Sequence, residues 1–281
     1  MLKSLEKAQR QELAVKMKAN YKRCTSQAIY ILEMTQHSSE LFDLPHHLQG
    51  ESSNGVNPKY IALIPAAGVG ARMVANVPKQ YLDLAGKSVL QRTVDCFLSC
   101  PQIDHIFVVV SAEDAFIDDA LAEHEKLTVF NCGGATRRDT VQNGLELIRK
   151  FSRYQDQDLV LVHDAARPGL TPVLVSKLIE AVGDDVNGGL LALSVVDTVK
   201  RCVAGQVETI DRKNLWLAQT PQMFSLGLLS RALEMAIEVT DEASAIETIG
   251  YSPKLVEGAM RNRKLTVPED LEFFELFFKE L

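Results

Sequence analysis

Residues 60–73 read Y-I-A-L-I-P-A-A-G-V-G-A-R-M, a short apolar run followed at once by small residues and two glycines. An apolar run of this length that ends at a breaker is the pattern of a buried strand, so we expect a strand at 61–64. Small residues after such a strand let the backbone approach a polyphosphate, and their N–H groups can bind it. The stretch therefore predicts the first strand of an α/β sheet with a phosphate-binding loop behind it.

Four further apolar runs, separated mostly by amphipathic helical stretches, predict strands at 106–110, 127–130, 159–162 and 190–196. Strands that alternate with helices imply crossover connections and a largely parallel sheet with helices on both faces. In such a sheet, ligands bind beyond the carboxyl ends of the strands. The residues that follow each strand are therefore the first candidates for a functional site.

The loop after the first strand excludes two common nucleotide-binding classes. Met73 stands where the dinucleotide-binding fingerprint has its third glycine, and no G-x-x-x-x-G-K-[ST] motif occurs in the chain. A standard dehydrogenase and a P-loop NTPase are therefore not supported. Arg72 and Lys79 follow the glycines and are placed to neutralise a polyphosphate.

The segment H-D-A-A-R-P at 163–168 follows the strand predicted at 159–162. Asp164 is placed to hold Mg²⁺, which takes oxygen ligands and bridges phosphates. Arg167 can offer a bidentate fork to a second phosphate. An Asp that caps the next helix and pairs with the Arg fits the segment equally well.

The segment C-G-G-A-T-R-R-D-T at 132–140 joins a predicted strand to a predicted helix. Its glycines permit close contact with a base or a ribose, and Thr140 can donate or accept a hydrogen bond. Taken alone, the segment fits an ordinary turn before a capped helix as well.

Composition bounds the kind of protein and its partners. The chain has 281 residues, 46% of them apolar, and can bury the core of one large domain. Its net charge of -7 disfavours nucleic acid and anionic membranes as partners. It has no apolar run long enough to span a bilayer and no secretion signal, and its five cysteines lack the spacing of a zinc site. We therefore expect a cytoplasmic protein with reduced thiols.

The first 58 residues differ in character from the rest of the chain. The stretch 1–23 is basic with a weak helical stripe, and the stretch from Gly50 to Pro58 is rich in breakers and reads as a linker. We expect residues 1–58 to be an N-terminal extension, partly helical or disordered, and residues 59–281 to be the catalytic domain. Every candidate residue lies after Tyr60.

Taken in order, these segments resemble the 2-C-methyl-D-erythritol 4-phosphate cytidylyltransferase family. The resemblance runs from about residue 59 to the C-terminus. Further segments carry it: D-T-V-K at 197–200, T-I-D-R at 209–212, L-W at 215–216, Q-T-P-Q-M-F at 219–224, T-D-E-A-S at 240–244 and K-L-T-V-P-E-D-L at 264–271. It implies a Rossmann-like fold with a projecting arm at about 196–224 that makes a homodimer, Mg²⁺ as cofactor, and transfer of CMP from CTP to a methylerythritol phosphate.

The resemblance also implies which residues bind what. Cytosine and ribose would be held mostly by small residues: Ala66, Gly68, Gly134, Ala135, Thr140 and Ala165. Arg72 and Lys79 would grip the triphosphate as catalytic groups, and Asp164 would hold the metal. The acceptor phosphate would meet residues of two subunits: Arg167 and Lys264 from one, and Thr198 and Arg212 from the other.

Two other functions remain to be weighed against this one. A ribitol-5-phosphate cytidylyltransferase shares the glycine loop and the segment at 163–168, although the runs at 241–244 and 212–216 favour the methylerythritol acceptor. A protein that only binds a nucleotide would not need Arg72, Lys79, Asp164 and Arg167 together. The acceptor phosphate is itself a nucleophilic anion, so we expect in-line attack on the α-phosphorus without a general base.

Overall fold

A computed structural model of the chain describes residues 57–68, 77–236 and 238–279. The strands in these ranges are β1 (Tyr60–Pro65), β2 (Asp83–Leu84), β3 (Lys87–Ser88), β4 (Ile103–Val109), β5 (Leu127–Phe130), β6 (Leu159–Val162), β7 (Gly189–Ser194), β8 (Val199–Val203), β9 (Gln206–Ile210), β10 (Trp216–Ser225) and β11 (Lys254–Glu257). The α-helices there are α1 (Val89–Leu98), α2 (Ile117–Ala120), α3 (Arg137–Ile148), α4 (Pro172–Val182), α5 (Leu226–Met235), α6 (Glu242–Thr248) and α7 (Pro268–Lys279). Short 3-10 helices span Lys79–Tyr81 and Met260–Asn262. The predicted extension, apart from its last two residues, and Arg72 lie outside the described residues.

Seven strands form one sheet in the order β11-β7-β10-β6-β1-β4-β5. Every neighbouring pair is parallel except the two that involve β10, which runs antiparallel to β6 and β7. All five predicted strands are present, and the predicted α/β fold with a mostly parallel, Rossmann-like sheet is confirmed. The carboxyl ends of β1, β4, β5 and β6 meet at one edge of the sheet.

Helices cover both faces of the sheet because its strands are apolar on both sides. Ala62 and Ile64 of β1 pack into a cluster with α1 and α4, whereas Ile61 and Leu63 of the same strand pack into a cluster with α3, α5 and α6. Burial on both faces is what a parallel sheet requires, and it explains why β1 reads as a continuous apolar run.

Side chains at the helix starts fix where the helices begin. Ser88, Thr171 and Ser225 each accept a hydrogen bond from a backbone N–H in the first turn of α1, α4 and α5. Thr136 at the start of α3 and Asp241 at the start of α6 each form a capping box with the residue three positions later. These caps satisfy N–H groups that a helix leaves unpaired, and two of them bring charged side chains to the site described below.

The predicted arm at 196–224 divides into two parts. Strands β8 and β9 form a separate, largely exposed hairpin, whereas Trp216–Ser225 is strand β10 inside the main sheet. Pro221 cannot donate to a sheet ladder, but the pairing of β10 with β7 is interrupted between Ala218 and Gln222, where the proline falls. Of the residues predicted as an arm, 216–224 therefore belong to the main sheet, and the hairpin of β8 and β9 lies outside it.

No helix in the described ranges has both the length and the apolar character that crossing a membrane requires.

The glycine before β7 gives a test of how tightly the sheet packs. Gly188 and Gly250 both have a positive φ, but a Cβ on Gly188 would lie 2.3 Å from the Phe224 ring and 2.4 Å from the Met223 carbonyl oxygen, whereas a Cβ on Gly250 would meet nothing within 4 Å. We expect Gly250→Ala to lower the free energy of unfolding by about 1 to 2 kcal/mol, from the backbone alone. Gly188→Ala should cost about 1 to 3 kcal/mol more through overpacking.

The measurement is urea unfolding of both variants beside the parent protein. Equal losses would show that the contact with Phe224 is loose and would contradict this packing.

Candidate active site

Two loops meet at the carboxyl edge of the sheet, one after β1 and one after β5. A Cβ on Gly133 would lie 2.3 Å from the Ala67 Cβ and 2.9 Å from the Val110 carbonyl oxygen, so the loops touch only because residue 133 is glycine. The Gln80 side-chain amide donates to the carbonyl oxygens of Ala66, at 2.8 Å, and Gly68, at 3.0 Å. The two predicted nucleotide-binding segments therefore form one surface.

The loop after β5 is braced from within. The Thr140 hydroxyl donates to the Thr136 carbonyl oxygen at 2.9 Å and accepts from the Gly134 N–H at 3.1 Å. Thr140 is buried, while Ala135 is exposed at the tip of the loop. The Thr140 hydroxyl therefore makes its hydrogen bonds within the loop. Of the residues predicted to bind cytosine and ribose, Gly68 and Ala135 are exposed.

A buried histidine holds both ends of the turn that follows β6. Burial lowers the pKa of His163 to about 3, so the ring is neutral. Its Nε2 lies 3.2 Å from the Arg167 carbonyl oxygen, which can only accept, so Nε2 carries the proton. Its Nδ1 then accepts from the Thr220 hydroxyl at 2.9 Å, and the Thr220 oxygen accepts from the Asp164 N–H at 3.1 Å.

The carboxylate of Asp164 is shared by three cations. Its Oδ1 lies 3.0 Å from Arg137 Nε, and its Oδ2 lies 2.9 Å from Lys264 Nζ and 3.3 Å from Arg167 Nε. Burial by itself would raise the pKa of Asp164, but the three positive charges together bring it well below its usual value. The carboxylate is therefore ionised, and its contacts with the cations are charge-assisted.

Arg137 and Glu242 form a second ion pair that sequence reasoning did not find. Arg137 Nη1 lies 2.6 Å from Oε1 of Glu242, and Nη2 lies 3.0 Å from Oε2, which is a two-point fork. Burial alone would lower the pKa of Arg137, but the carboxylates of Glu242 and Asp164 raise it on balance. The sequence signal that could have indicated it is the pair Arg137 and Arg138 at a helix start, where the helix dipole disfavours positive charge and a counter-charge is needed.

The segment before α7 joins the same site. Lys79 Nζ donates to the Leu265 carbonyl oxygen at 2.9 Å, and Arg167 Nη1 donates to the Asn262 carbonyl oxygen at 2.8 Å. The Leu265 N–H donates to the Ala166 carbonyl oxygen at 2.8 Å. These contacts gather four of the predicted site residues around one segment: Lys79, Asp164, Arg167 and Lys264.

The other predicted residues fall into three groups. Ala66 and Ala165 are buried, so they can offer only backbone atoms to a ligand. Thr198 and Arg212 are exposed at the base of the hairpin, where Arg212 donates to the Val196 carbonyl oxygen. Neither makes a hydrogen bond or ion pair with Asp164, Arg167 or Lys264 in the described part of the chain. Arg72 lies outside that part.

A magnesium site built on Asp164 does not fit these contacts. Both carboxylate oxygens already face cations, which would repel a divalent ion. Within residues 57–68, 77–236 and 238–279, no group of three or more His, Cys, Asp or Glu side chains is arranged to hold a metal. The contacts instead match the alternative from the sequence, in which Asp164 pairs with Arg167. Asp164 also contacts two further cations, Arg137 and Lys264.

Comparisons with known proteins agree on one family. The family model described as IspD: 2-C-methyl-D-erythritol 4-phosphate cytidylyltransferase matches residues 60–280. The 2-C-methyl-D-erythritol 4-phosphate cytidylyltransferase of Nitrosomonas eutropha is 48% identical over 227 residues, which are 79% of this chain and 97% of that protein.

Solved structures give the same result. A crystal structure of 4-diphosphocytidyl-2C-methyl-D-erythritol synthase superposes with a TM-score of 0.72 at 42% identity, over 79% of this chain and 100% of that one. The Francisella tularensis 2-C-methyl-D-erythritol 4-phosphate cytidylyltransferase gives a TM-score of 0.65 at 37% identity, over 76% and 97% of the two chains.

The hydrogen-bond chain through Thr220 can be tested by an isosteric change. In Thr220→Val, the buried Asp164 N–H and His163 Nδ1 both lose their partner, and each unsatisfied group costs about 1 to 3 kcal/mol. Thr220→Ser keeps the hydroxyl and serves as the matched control. We expect a large loss of unfolding free energy in the valine variant and a small one in the serine variant. Similar losses in the two variants, in a calorimetric or urea measurement, would contradict the assignment of this stabilisation to the hydroxyl.

Proposed function

The chain belongs to the 2-C-methyl-D-erythritol 4-phosphate cytidylyltransferase family, and from that membership we propose how its residues divide the work of the reaction. The enzyme is a nucleotidyltransferase that moves CMP from CTP to 2-C-methyl-D-erythritol 4-phosphate and releases pyrophosphate, in the non-mevalonate route of isoprenoid biosynthesis.

One observation carries the assignment of roles: four cations converge at the carboxyl edge of the sheet of an acidic protein. Lys79 donates to the carbonyl oxygen of Leu265, the residue next to Lys264. Lys264, Arg137 and Arg167 all contact the carboxylate of Asp164. Among the described residues, the ion pairs of Arg137, Arg167 and Lys264 at this edge are with two carboxylates, those of Asp164 and Glu242. The surplus positive charge suits a site that receives a triphosphate and a phosphate monoester together.

The nucleotide is assigned to the loops after β1 and β5. Their backbones approach each other at Gly133 and Ala67, and small residues on both sides leave room for a flat base and a ribose. Ala66, Gly68, Gly134 and Ala135 line this surface, Thr140 braces it, and Ala165 adds a backbone contact from the neighbouring strand end.

The acceptor phosphate is assigned to Lys264 and Arg167. Lys264 is 38% exposed, so its ammonium group is within reach of a ligand. An oxygen of the acceptor phosphate attacks the α-phosphorus of CTP, the new P–O bond forms, and the bond to the bridging oxygen breaks, so that pyrophosphate leaves with the electron pair. Arg72 and Lys79 stabilise the charge that develops on the α-phosphate and the leaving group.

Mg²⁺ enters the proposal as an ion carried by CTP. Magnesium keeps waters and binds substrate phosphates readily, and the cations around Asp164 argue against a direct bond to that carboxylate. When bound, the ion neutralises phosphate charge.

We also propose a cytoplasmic enzyme, and we assign catalysis to residues 59–281. The free thiols of Cys96, Cys100 and Cys202 fit a reducing compartment. The span of the family model, residues 60–280, supports the boundary after residue 58.

A homodimer is proposed from the hairpin. Val196, Val203, Val207 and Leu217 are apolar and exposed on the hairpin and at its base, and a second copy of the chain would cover them. Thr198 lies just before β8 and Arg212 lies two residues after β9, at the base of the hairpin. In a dimer they would reach the acceptor phosphate held by the partner, which explains why one chain does not bring them to Asp164.

Loss of the Lys79 ammonium should slow the reaction without unfolding the protein. Removing one aligned donor to developing charge costs on the order of 10²- to 10³-fold in turnover. We expect that loss in Lys79→Ala, measured as pyrophosphate release from CTP with 2-C-methyl-D-erythritol 4-phosphate. Lys87→Ala is the matched control, since Lys87 forms an exposed pair with Asp95. Ribitol 5-phosphate, tested in parallel, should be a poor acceptor. Near-normal turnover of Lys79→Ala would remove Lys79 from the catalytic groups.

The shared acceptor site can be tested by mixing two inactive variants. One site of a mixed dimer of Arg212→Ala and Lys264→Ala carries both defects, and the other carries neither. We therefore expect the mixture to regain activity that neither variant has alone. The measurement is pyrophosphate release after subunit exchange, with exchange followed by native mass spectrometry. Complete exchange without regained activity would mean that each site is built within one chain.

A further inference from the structure

Within the described residues, the ion pair of Arg137 and Glu242 contacts the proposed acceptor site through Asp164. Glu242 is 1% exposed and has both carboxylate oxygens on the Arg137 guanidinium. We propose that Arg137 and Glu242 are positioning residues: they hold Asp164 in place, and through Asp164 they set where Lys264 and Arg167 stand before the acceptor phosphate arrives. This inference rests on the proposed roles of Lys264 and Arg167.

Glu242 is itself fixed by the sheet. Gln222 of β10 donates from Nε2 to Asp241 Oδ2 at 2.8 Å and accepts at Oε1 from the Ala243 N–H at 2.8 Å. It therefore grips the residues on both sides of Glu242, and Gln222 is itself buried in the central sheet. The position of Glu242 at the start of α6 thus follows from the register of β10.

Arg137 links the position of Glu242 to that of Asp164, because its guanidinium is planar and rigid and contacts both. Its two Nη atoms are committed to Glu242, which leaves Nε directed at Asp164 Oδ1, 3.0 Å away. A lysine has one compact ammonium group and cannot form the fork and reach the second carboxylate in this geometry. The orientation of Asp164, and of the Oδ2 that faces Lys264 and Arg167, therefore depends on the fork.

Lys264 is the group most affected by that orientation. Its stem is long and flexible, and its contact with Asp164 Oδ2 is the ion pair that holds its ammonium group in the described structure. If Asp164 turns, Lys264 must be ordered when the acceptor binds, and ordering a rotamer-rich side chain lowers affinity. The loss falls on the acceptor and not on CTP, whose proposed loops do not depend on Lys264.

The test is Glu242→Gln, which keeps the shape of the side chain but presents an amide NH₂ to the Arg137 donors and breaks the fork. Glu247→Gln is the matched control, because Glu247 lies on the same helix and is exposed. We expect the KM for 2-C-methyl-D-erythritol 4-phosphate to rise about tenfold in Glu242→Gln, with the KM for CTP within about twofold of the parent and a cooperative thermal transition. Glu247→Gln should match the parent. Arg137→Lys should also raise the KM for the acceptor and leave the KM for CTP nearly unchanged. It replaces Glu242→Gln as the test if that variant does not fold.

Lys264→Ala, alone and combined with Glu242→Gln, separates this inference from the roles on which it rests. If Lys264→Ala alone leaves the acceptor KM unchanged, the proposed role of Lys264 is wrong and the inference falls with it. If Lys264→Ala raises the acceptor KM and the effect of Glu242→Gln shrinks in its presence, the two act through one chain of contacts, as proposed. Full additivity, or an equal rise in both KM values in Glu242→Gln, would show that the pair only supports the fold.

Discussion

The proposed acceptor end of the site depends on one buried carboxylate, that of Asp164. Arg137 reaches it from the start of α3, Arg167 from the turn after β6, and Lys264 from the segment before α7. Each cation would be costly to bury without a counter-charge, and so would the carboxylate without the cations. Three segments that are far apart in the chain are therefore held together by a mutual electrostatic requirement, which the apolar core alone does not impose.

Strand β10 makes that arrangement possible because it is antiparallel to both of its neighbours, β6 and β7. Its pairing of Gln222 with Val162 places Thr220 just beyond the carboxyl end of β6, beside Asp164. The same strand carries Gln222, which fixes the start of α6. A parallel strand at this position would enter the sheet from the opposite edge. The antiparallel direction therefore places the first half of β10, which carries Thr220, at the carboxyl edge beside Asp164.

The sequence predicted the parallel part of the sheet well, because strands such as β1 and β6 are buried on both faces and read as unbroken apolar runs. It did not place β10, in which Gln219, Pro221 and Gln222 interrupt the apolar pattern. Gln219 and Pro221 lie where the ladder with β7 is interrupted, and Gln222 resumes the pairing. The residues that hide the strand in the sequence are therefore at or next to the irregularity in its pairing. Lys79, Asp164 and Arg167 were found from motifs at strand ends, and Lys264 was found from the family resemblance. The pairing of Arg137 with Glu242 joins residues 105 positions apart and has no local pattern.

The exposures of the three cations around Asp164 suggest how one carboxylate can serve both the free and the loaded site. The Arg137 side chain is 29% exposed and that of Arg167 is 11% exposed, and both are tied to further acceptors, whereas Lys264 is 38% exposed. Without Asp164 the three positive charges would repel one another. In the proposed acceptor site, a phosphate dianion brings two negative charges, so Lys264 can turn toward it while the two arginines keep Asp164 compensated. The rigid guanidinium groups of Arg137 and Arg167 are thus held in place, and the flexible ammonium group of Lys264 is the one that can move toward the proposed acceptor phosphate, which Arg167 also binds in that proposal.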